Sequence, residues 1–210
     1  MTLSISPVAT SEQLNAFLRL PWHIYQHDPY WVPPLLDDLQ TKLDKKQNPF
    51  WSTSDQECWI ALKEDRVVGR ICAFVEKKDG GFATIGNFGF FECENDSDTA
   101  SLLFNTAEDW LRTRKVERLR GPVNPTMNEE PGFQVDGFTA RPVLMTGHTP
   151  PYYLDLAAAC GYQKYNDLVA RRYILDHKEQ TFTSACPEKI LQIAARVEQR
   201  PDVRIRRLDK

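Results

Sequence analysis

Residues 58–91 hold three apolar runs separated by two short polar turns, which restricts this part of the chain to an antiparallel meander. The runs 58–63 (CWIALK) and 66–76 (RVVGRICAFVE) are joined only by Glu64-Asp65, a link too short for anything but a hairpin. A second turn, with Asp79-Gly80-Gly81 at its tip, leads into 82–91 (FATIGNFGFF). Gly86 and Gly89 interrupt this third strand, marking a bulge or the close approach of another backbone.

Helical periodicity flanks the meander. Residues 3–8 (LSISPV) alternate as a short first strand. Thr10 or Ser11 then caps a helix with Leu14, Phe17 and Leu18 on one face, disturbed at Pro21. Pro33 and Pro34 open a second helix with Leu35, Leu36, Leu39 and Leu43 at helical spacing. Beyond the meander, Asp96 or Ser97 caps a helix whose buried stripe is Leu103, Ala107, Trp110 and Leu111. Residues 116–119 read as a short strand and 121–150 as a long Pro/Gly-rich loop whose apolar residues call for packing. Pro150-Pro151 opens a further helix stopped by Gly161, with a last strand expected within 162–175 and another helix from Pro187 to about 199. The fold class is therefore α/β, with a central mixed sheet flanked by helices.

Several function classes are disfavoured. Net charge is −3, which argues against a nucleic-acid surface, although ten Lys/Arg against six Asp/Glu follow from Arg171 onward. No run of 18 apolar residues exists, so no membrane span is expected, and the opening residues do not form a signal peptide. The five cysteines lie in no CxxC pair and at no metal-ligand spacing. Reduced, buried thiols and a cytoplasmic location are expected, with no metal.

Three stretches resemble the GNAT acyltransferase superfamily. ECWIALKEDRVVGRICAF is similar to its hairpin, LLFNTAEDWLRTRKVERLRG to its central helix and next strand, and PYYLDLAAACGYQKYND to its last helix. DPYWVPPLLDD, NPFW, FGFFECEND, GPVNPTMNEEPGFQVDGF and PPYY together resemble, over most of 28–175, a group of tandem GNAT-like proteins. The resemblance implies a GNAT-like domain over 1–176, a linker helix over 177–202 and, at 203–210, the first strand of a second domain. It also implies a small-molecule amine acceptor, acetyl-CoA or another acyl-CoA as donor, and a second GNAT-like domain or a homodimer partner.

In that superfamily the strand before the central helix splays so that its backbone holds pantetheine, and the helix N-terminus holds the pyrophosphate through free N–H groups. Here Phe90, Phe91, Cys93 and Ser97 occupy the corresponding positions. Residues 92–98 (ECENDSD) contain no glycine, and no basic residue falls between Lys78 and Arg112. Four carboxylates are thus expected where phosphate oxygens would sit, opposing them by on the order of a kcal/mol each; Asp96 and Asp98 also serve as helix-terminal acids. The tyrosine acid many members carry four residues before the last helix's glycine is Ala157 here, leaving Tyr152 as the nearest acid and Tyr153 as a substrate contact, or both as packing. On the long loop Glu129, Glu130 and His148 are candidate bases for the amine, with Asn124 and Asn128 as substrate ligands or as satisfiers of turn backbone. Two readings stay open: an acyl-CoA-dependent N-acyltransferase with an atypical pyrophosphate site, and a catalytically degenerate half that shapes a cleft or interface for an active second domain.

Overall fold

The computed structural model describes residues 2–171 and 186–204, which divide into two units, Met1–Leu168 and Val169–Lys210. The first unit is built on one mixed sheet. Its strands are β1 (Leu3–Pro7), β2 (Ser54–Lys63), β3 (Arg66–Lys78), β4 (Gly81–Phe82), β5 (Ile85–Cys93) and β6 (Arg118–Arg120). The order is β1-β2-β3-β5-β6, with β4 on β3; all pairs are antiparallel except β5–β6.

The expected meander is present, and its strands run beyond their apolar cores. Glu64 and Asp65 both take positive φ (48° and 67°), the twist a two-residue hairpin turn requires. The third strand starts later than its apolar run because Gly81-Phe82 folds back onto Lys77 and Lys78 as β4.

Two apolar clusters cover the sheet's two faces. On one, Val68, Ile71, Ala73, Val75, Phe88 and Phe91 meet Leu103, Phe104 and Leu111 of α3 (Ser97–Arg112) and Tyr153 and Leu156 of α4 (Tyr152–Ala159). On the other, Ile60, Cys72, Phe74 and Phe90 meet Phe17 and Leu18 of α1 (Ser11–Ile24), Leu39 and Leu43 of α2 (Leu36–Leu43), and Trp51. Each fully buried Phe contributes roughly 1.5–3 kcal/mol. Thr10 caps α1 with a capping box completed by Gln13.

Pro21, expected to disturb α1, lies inside it, and the helix continues to Ile24. The cost of a mid-helix proline is the N–H it lacks, which leaves the Phe17 carbonyl without its donor. Arg70 of β3 fills the vacancy, donating from Nη1 to Phe17 O at 2.7 Å, with its guanidinium carbon 4.9 Å from the Phe17 ring centre. Arg70 also pairs with Glu92 of β5 at 3.4 Å, both side chains being nearly buried (5% and 13% exposed). Glu92 Oε2 accepts from the Tyr25 hydroxyl (3.0 Å) and the Tyr153 hydroxyl (2.7 Å), and Tyr153 in turn accepts the Cys93 N–H (2.9 Å). One buried polar chain thus ties α1, β3, β5 and α4 together.

The strand expected within 162–175 is not formed over 162–171, and 172–175 lie outside the described residues. Gly161 (φ +87°) ends α4, and Tyr162 packs on Phe104 (4.6 Å) and donates to Glu108 (2.9 Å). Residues 163–171 are then exposed and mostly polar, without an apolar face to lay on a sheet. In the second unit α5 (Glu188–Glu198) follows Pro187 as expected. Of the linker-helix span 177–202, residues 177–185 lie outside the described residues, as do 205–210 of the anticipated second-domain strand; 203–204 carry no strand.

Two outcomes are expected on substitution. Arg70→Met strands a buried carboxylate and a helix carbonyl, and urea unfolding should show a loss of about 3–5 kcal/mol, part of it recovered by adding Glu92→Gln. In Gly89→Ala a Cβ would sit 1.7 Å from the Val123 carbonyl oxygen, so a loss on the order of 3 kcal/mol is expected in the same measurement, whereas exposed Gly80→Ala should cost far less.

Candidate active site

The site is organised by a bulge in β5. Arg70 pairs with Glu92 and Cys72 with Gly89, so β5 carries one residue more than β3 between those points. Phe90 absorbs it with φ +50°. As a result Phe88 and Phe90 lie on opposite faces, which a regular strand forbids, and Glu92 is delivered to the α1 face. Beyond β6 the chain stays against β5: Val123 N–H donates to Phe88 O (2.9 Å), and the missing Cβ of Gly89 admits the Val123 carbonyl.

At the bulge lies a cavity of about 110 Å³. Its deep wall includes Arg70, Glu92, Phe90, Phe91 and His148, and its outer wall includes Val32, Pro34, Pro142 and Thr146. His148 is the group with unspent chemistry. Its side chain is 4% exposed, and its Nε2 lies 2.7 Å from Asp28 Oδ2. Asp28 is fixed in turn by the Tyr30 N–H at 2.8 Å. Burial pushes the Asp28 carboxyl up, but the bonds from His148 and the Tyr30 N–H outweigh it and hold it below its ordinary value. With Nε2 donating to a carboxylate, the neutral imidazole presents Nδ1 as an acceptor, and this buried atom has no partner. An imidazole oriented by a carboxylate, on a cavity wall and with one nitrogen unpartnered, is chemically able to take up a proton.

Tyr25 connects this dyad to the buried pair. It stacks on Trp31 (5.0 Å, 9°), and its hydroxyl, bonded to Glu92, also lies 3.2 Å from the His148 carbonyl oxygen. Burial is the main force raising the Glu92 carboxyl above its ordinary value, against the pull of Arg70 and of the two tyrosine hydroxyls.

The residues singled out in the sequence are distributed unevenly around this cavity. Phe90, Phe91, Asn124, Glu130 and His148 line it, and Tyr153 reaches it through Glu92. Glu130 is drawn toward Lys42 (3.8 Å). Asn128 is exposed in a turn, Ser97 is exposed at the start of α3, and neither they nor Glu129 line the cavity. Burial raises the Glu129 carboxyl, whose Oε2 is buried without a partner. Tyr152 donates to Cys93 O (2.8 Å), and burial raises the Cys93 thiol. Asp28, Arg70, Glu92, Tyr25 and Trp31 were not singled out. A proline inside a helix, which calls for an outside donor, is the signal that pointed to Arg70.

The four carboxylates at 92–98 do not form the anionic cluster anticipated. Glu92 turns inward to Arg70. Glu94 is chelated by Arg66 and lies 3.1 Å from His23; Asp96 lies 3.0 Å from Lys63 and accepts the Thr99 N–H as N-cap. The partners come from β2 (Lys63), β3 (Arg66 and Arg70) and α1 (His23), far away in sequence. The groups that would hold pantetheine and pyrophosphate are nevertheless occupied. Phe90 N–H donates to Asn124 Oδ1 (2.6 Å), both backbone groups of Cys93 are bonded to Tyr152 and Tyr153, and the Asp96 carboxylate sits on the α3 N-terminus. This segment does not fit a diphosphate. Among the described residues no group of three or more His, Cys, Asp or Glu is placed to hold a metal, and no helix is long and apolar enough to cross a membrane.

No protein-family model matches the chain. It is 36% identical over 173 residues to a bacterial ceramide synthase of Caulobacter vibrioides, covering 80% of this chain and 44% of that protein. It is 30% identical over 186 residues to protein YghO of Escherichia coli, covering 88% and 47%. The chain thus spans about half the length of these curated relatives. Among solved structures it superposes on an aminoglycoside acetyltransferase from an uncultured soil metagenomic sample, solved with sisomicin, at a TM-score of 0.50 and 14% identity, covering 83% of this chain and 97% of that one. The six-stranded mixed sheet flanked by helices matches that of this acetyltransferase, and the chain has the GNAT fold.

Proposed function

We propose that the protein is a GNAT-type N-acyltransferase that uses an acyl-CoA and acts on the amine of a long-chain amino alcohol, and that this chain supplies the acceptor cavity and its base. The observation that carries this reading is His148: a residue of the cavity wall, held through Nε2 by Asp28, with a buried Nδ1 that has no hydrogen-bond partner. The likeness to a bacterial ceramide synthase supports the substrate class, since forming a ceramide joins a fatty acyl group to the amine of a long-chain amino alcohol.

The chemistry follows from the ionisation of the acceptor. An alkyl amine is protonated at neutral pH (ordinary value about 10) and has no lone pair to offer. His148 Nδ1 takes the ammonium proton while Asp28 stabilises the imidazolium that results. The freed nitrogen attacks the thioester carbonyl carbon, the carbon–sulfur bond breaks, the second proton shed by the attacking nitrogen passes to the leaving thiolate, and the proton held by His148 returns to solvent. General-base transfer of this kind contributes on the order of 10²–10⁴ in rate. Trp31 and Phe90 give the cavity apolar walls, and Glu130 supplies an acceptor for amine or hydroxyl hydrogens.

The donor enters from elsewhere than the strand–helix junction at 92–98, whose backbone groups are capped from within. That capping also favours the second reading, in which this unit is a non-catalytic half completing a cleft for an active partner domain. Calorimetry with a long-chain acyl-CoA separates the two. Binding to the 210-residue chain keeps donor and acceptor together; silence at millimolar ligand, with binding by a protein of the relatives' full length, assigns the donor to the remainder.

In the active protein, His148→Asn is expected to lower kcat by about 10²-fold or more with the acceptor KM changed less than threefold. With the base gone only free amine reacts, so the variant's rate should climb about tenfold per pH unit below the amine's own ionisation. A variant with wild-type kcat and pH profile removes His148 from the mechanism.

A further inference from the structure

The polar end of the cavity is accounted for by the amine; its outer rim is not. Two segments form that rim. Val32 and Pro34 line the cavity, and next to them Leu35 is 71% exposed. On the facing side Pro142 and Thr146 line it, and the turn between them, closed by Thr146 N–H to Val143 O (3.0 Å), holds out Val143, Leu144 and Met145. Leu144 is 92% exposed, and Val32, Val143 and Met145 are each more than half exposed. Large apolar side chains concentrated at one cavity mouth are unusual on a protein surface and mark a binding site.

We propose that these two lips carry the hydrocarbon chain of a cationic single-chain amphiphile, whose head lies in the cavity and whose tail runs out between Leu35 and Leu144. This deepens the reading of His148 as the base for an amine and rests on it. Two features of the rim choose this occupant. First, polarity is graded: Arg70, Glu92 and His148 lie at the buried end, and aliphatic residues and prolines lie at the mouth, which matches an amphiphile entered head first. Second, Asp37 and Asp38 are exposed beside Leu35, and Glu130 lines the cavity. Arg141, next to Pro142, is also exposed, and Glu130 is paired with Lys42 at 3.8 Å. These three carboxylates outnumber the two cations, a balance that favours an ammonium head over an anionic one. The prolines at 33, 34 and 142 hold both segments extended, so the lips lose little entropy when a chain lies between them.

The lips then act as specificity elements: they read the tail, while the cavity reads the head. A fully buried chain gains about fourfold in affinity per methylene, and one lying on an open rim gains less, about twofold.

Hexylamine, octylamine and dodecylamine, each below its micelle concentration, are titrated calorimetrically into the chain. Affinity is expected to rise with chain length at about twofold or more per methylene. The triple variant Leu35→Ser/Val143→Ser/Leu144→Ser should flatten that rise while leaving hexylamine affinity within about threefold. Its side chains are exposed, so its unfolding midpoint should match the wild type; if it does not, Leu144→Ser alone carries the test. A flat series in the wild type, or an unchanged rise in the variant, overturns the role of the lips while leaving the base untouched. A wild-type dimer that the variant abolishes overturns it too, because a second copy then covers the rim. No binding at any length overturns both this proposal and the acceptor reading.

Discussion

Arg70 and Glu92 form the contact on which the rest of this molecule depends. Burying two opposite charges is costly, and the arrangement survives because almost every polar atom around it is used. Arg70 has to be inside because Pro21 leaves a helix carbonyl unpaired. Glu92 has to be inside because Arg70 is. The bulge at Phe90 brings the carboxylate to the correct face, and Tyr25 and Tyr153 saturate it from two different helical segments. Two apolar clusters would by themselves tolerate sliding of α1 over the sheet, whereas this polar chain admits one register.

That register places the cavity. Tyr25 is held by Glu92, Trp31 stacks on Tyr25, and the chain then turns through Asp28 to meet His148. The network that fixes α1 thus also fixes the surroundings of His148, the proposed base. The same economy explains the closed strand–helix junction. Asn124, Tyr152 and Tyr153 satisfy backbone groups that a ligand would otherwise take, so the unit is well hydrogen-bonded without one. The GNAT framework is kept here while one of its binding surfaces is spent on internal bonds.

Much of the fold was legible in the sequence because its signals are local. The hairpin at Glu64-Asp65, the caps at Thr10 and Asp96, and the Gly161 stop each rest on a few neighbouring residues. Gly89 was legible as a site of close approach, though not what approaches it; Val123 is 34 positions away. The candidate site was legible on the loop side, where Asn124, Glu130 and His148 stand out as polar residues; the packing expected of that loop holds at Val123 but not at Val135, Val143, Leu144 and Met145, which are exposed. Their counterparts were hidden because each depends on a distant partner. Asp28 reads as a turn residue until His148 meets it 120 positions later, and Glu92 and Glu94 read as repulsive acids until Arg70 and Arg66 arrive from the hairpin. The strand expected within 162–175 rested on the chain's own pattern; over 162–171 it is not formed, and residues 163–171 are exposed and mostly polar.

The central claim is that an acceptor amine is received by His148. A crystal structure of the protein with a saturated long-chain amino alcohol tests it most directly. The account predicts the amine nitrogen at hydrogen-bond distance, about 3 Å, from His148 Nδ1, with the Asp28 contact intact. An amine bound elsewhere, with Nδ1 still unpartnered or filled by a protein group, would contradict it.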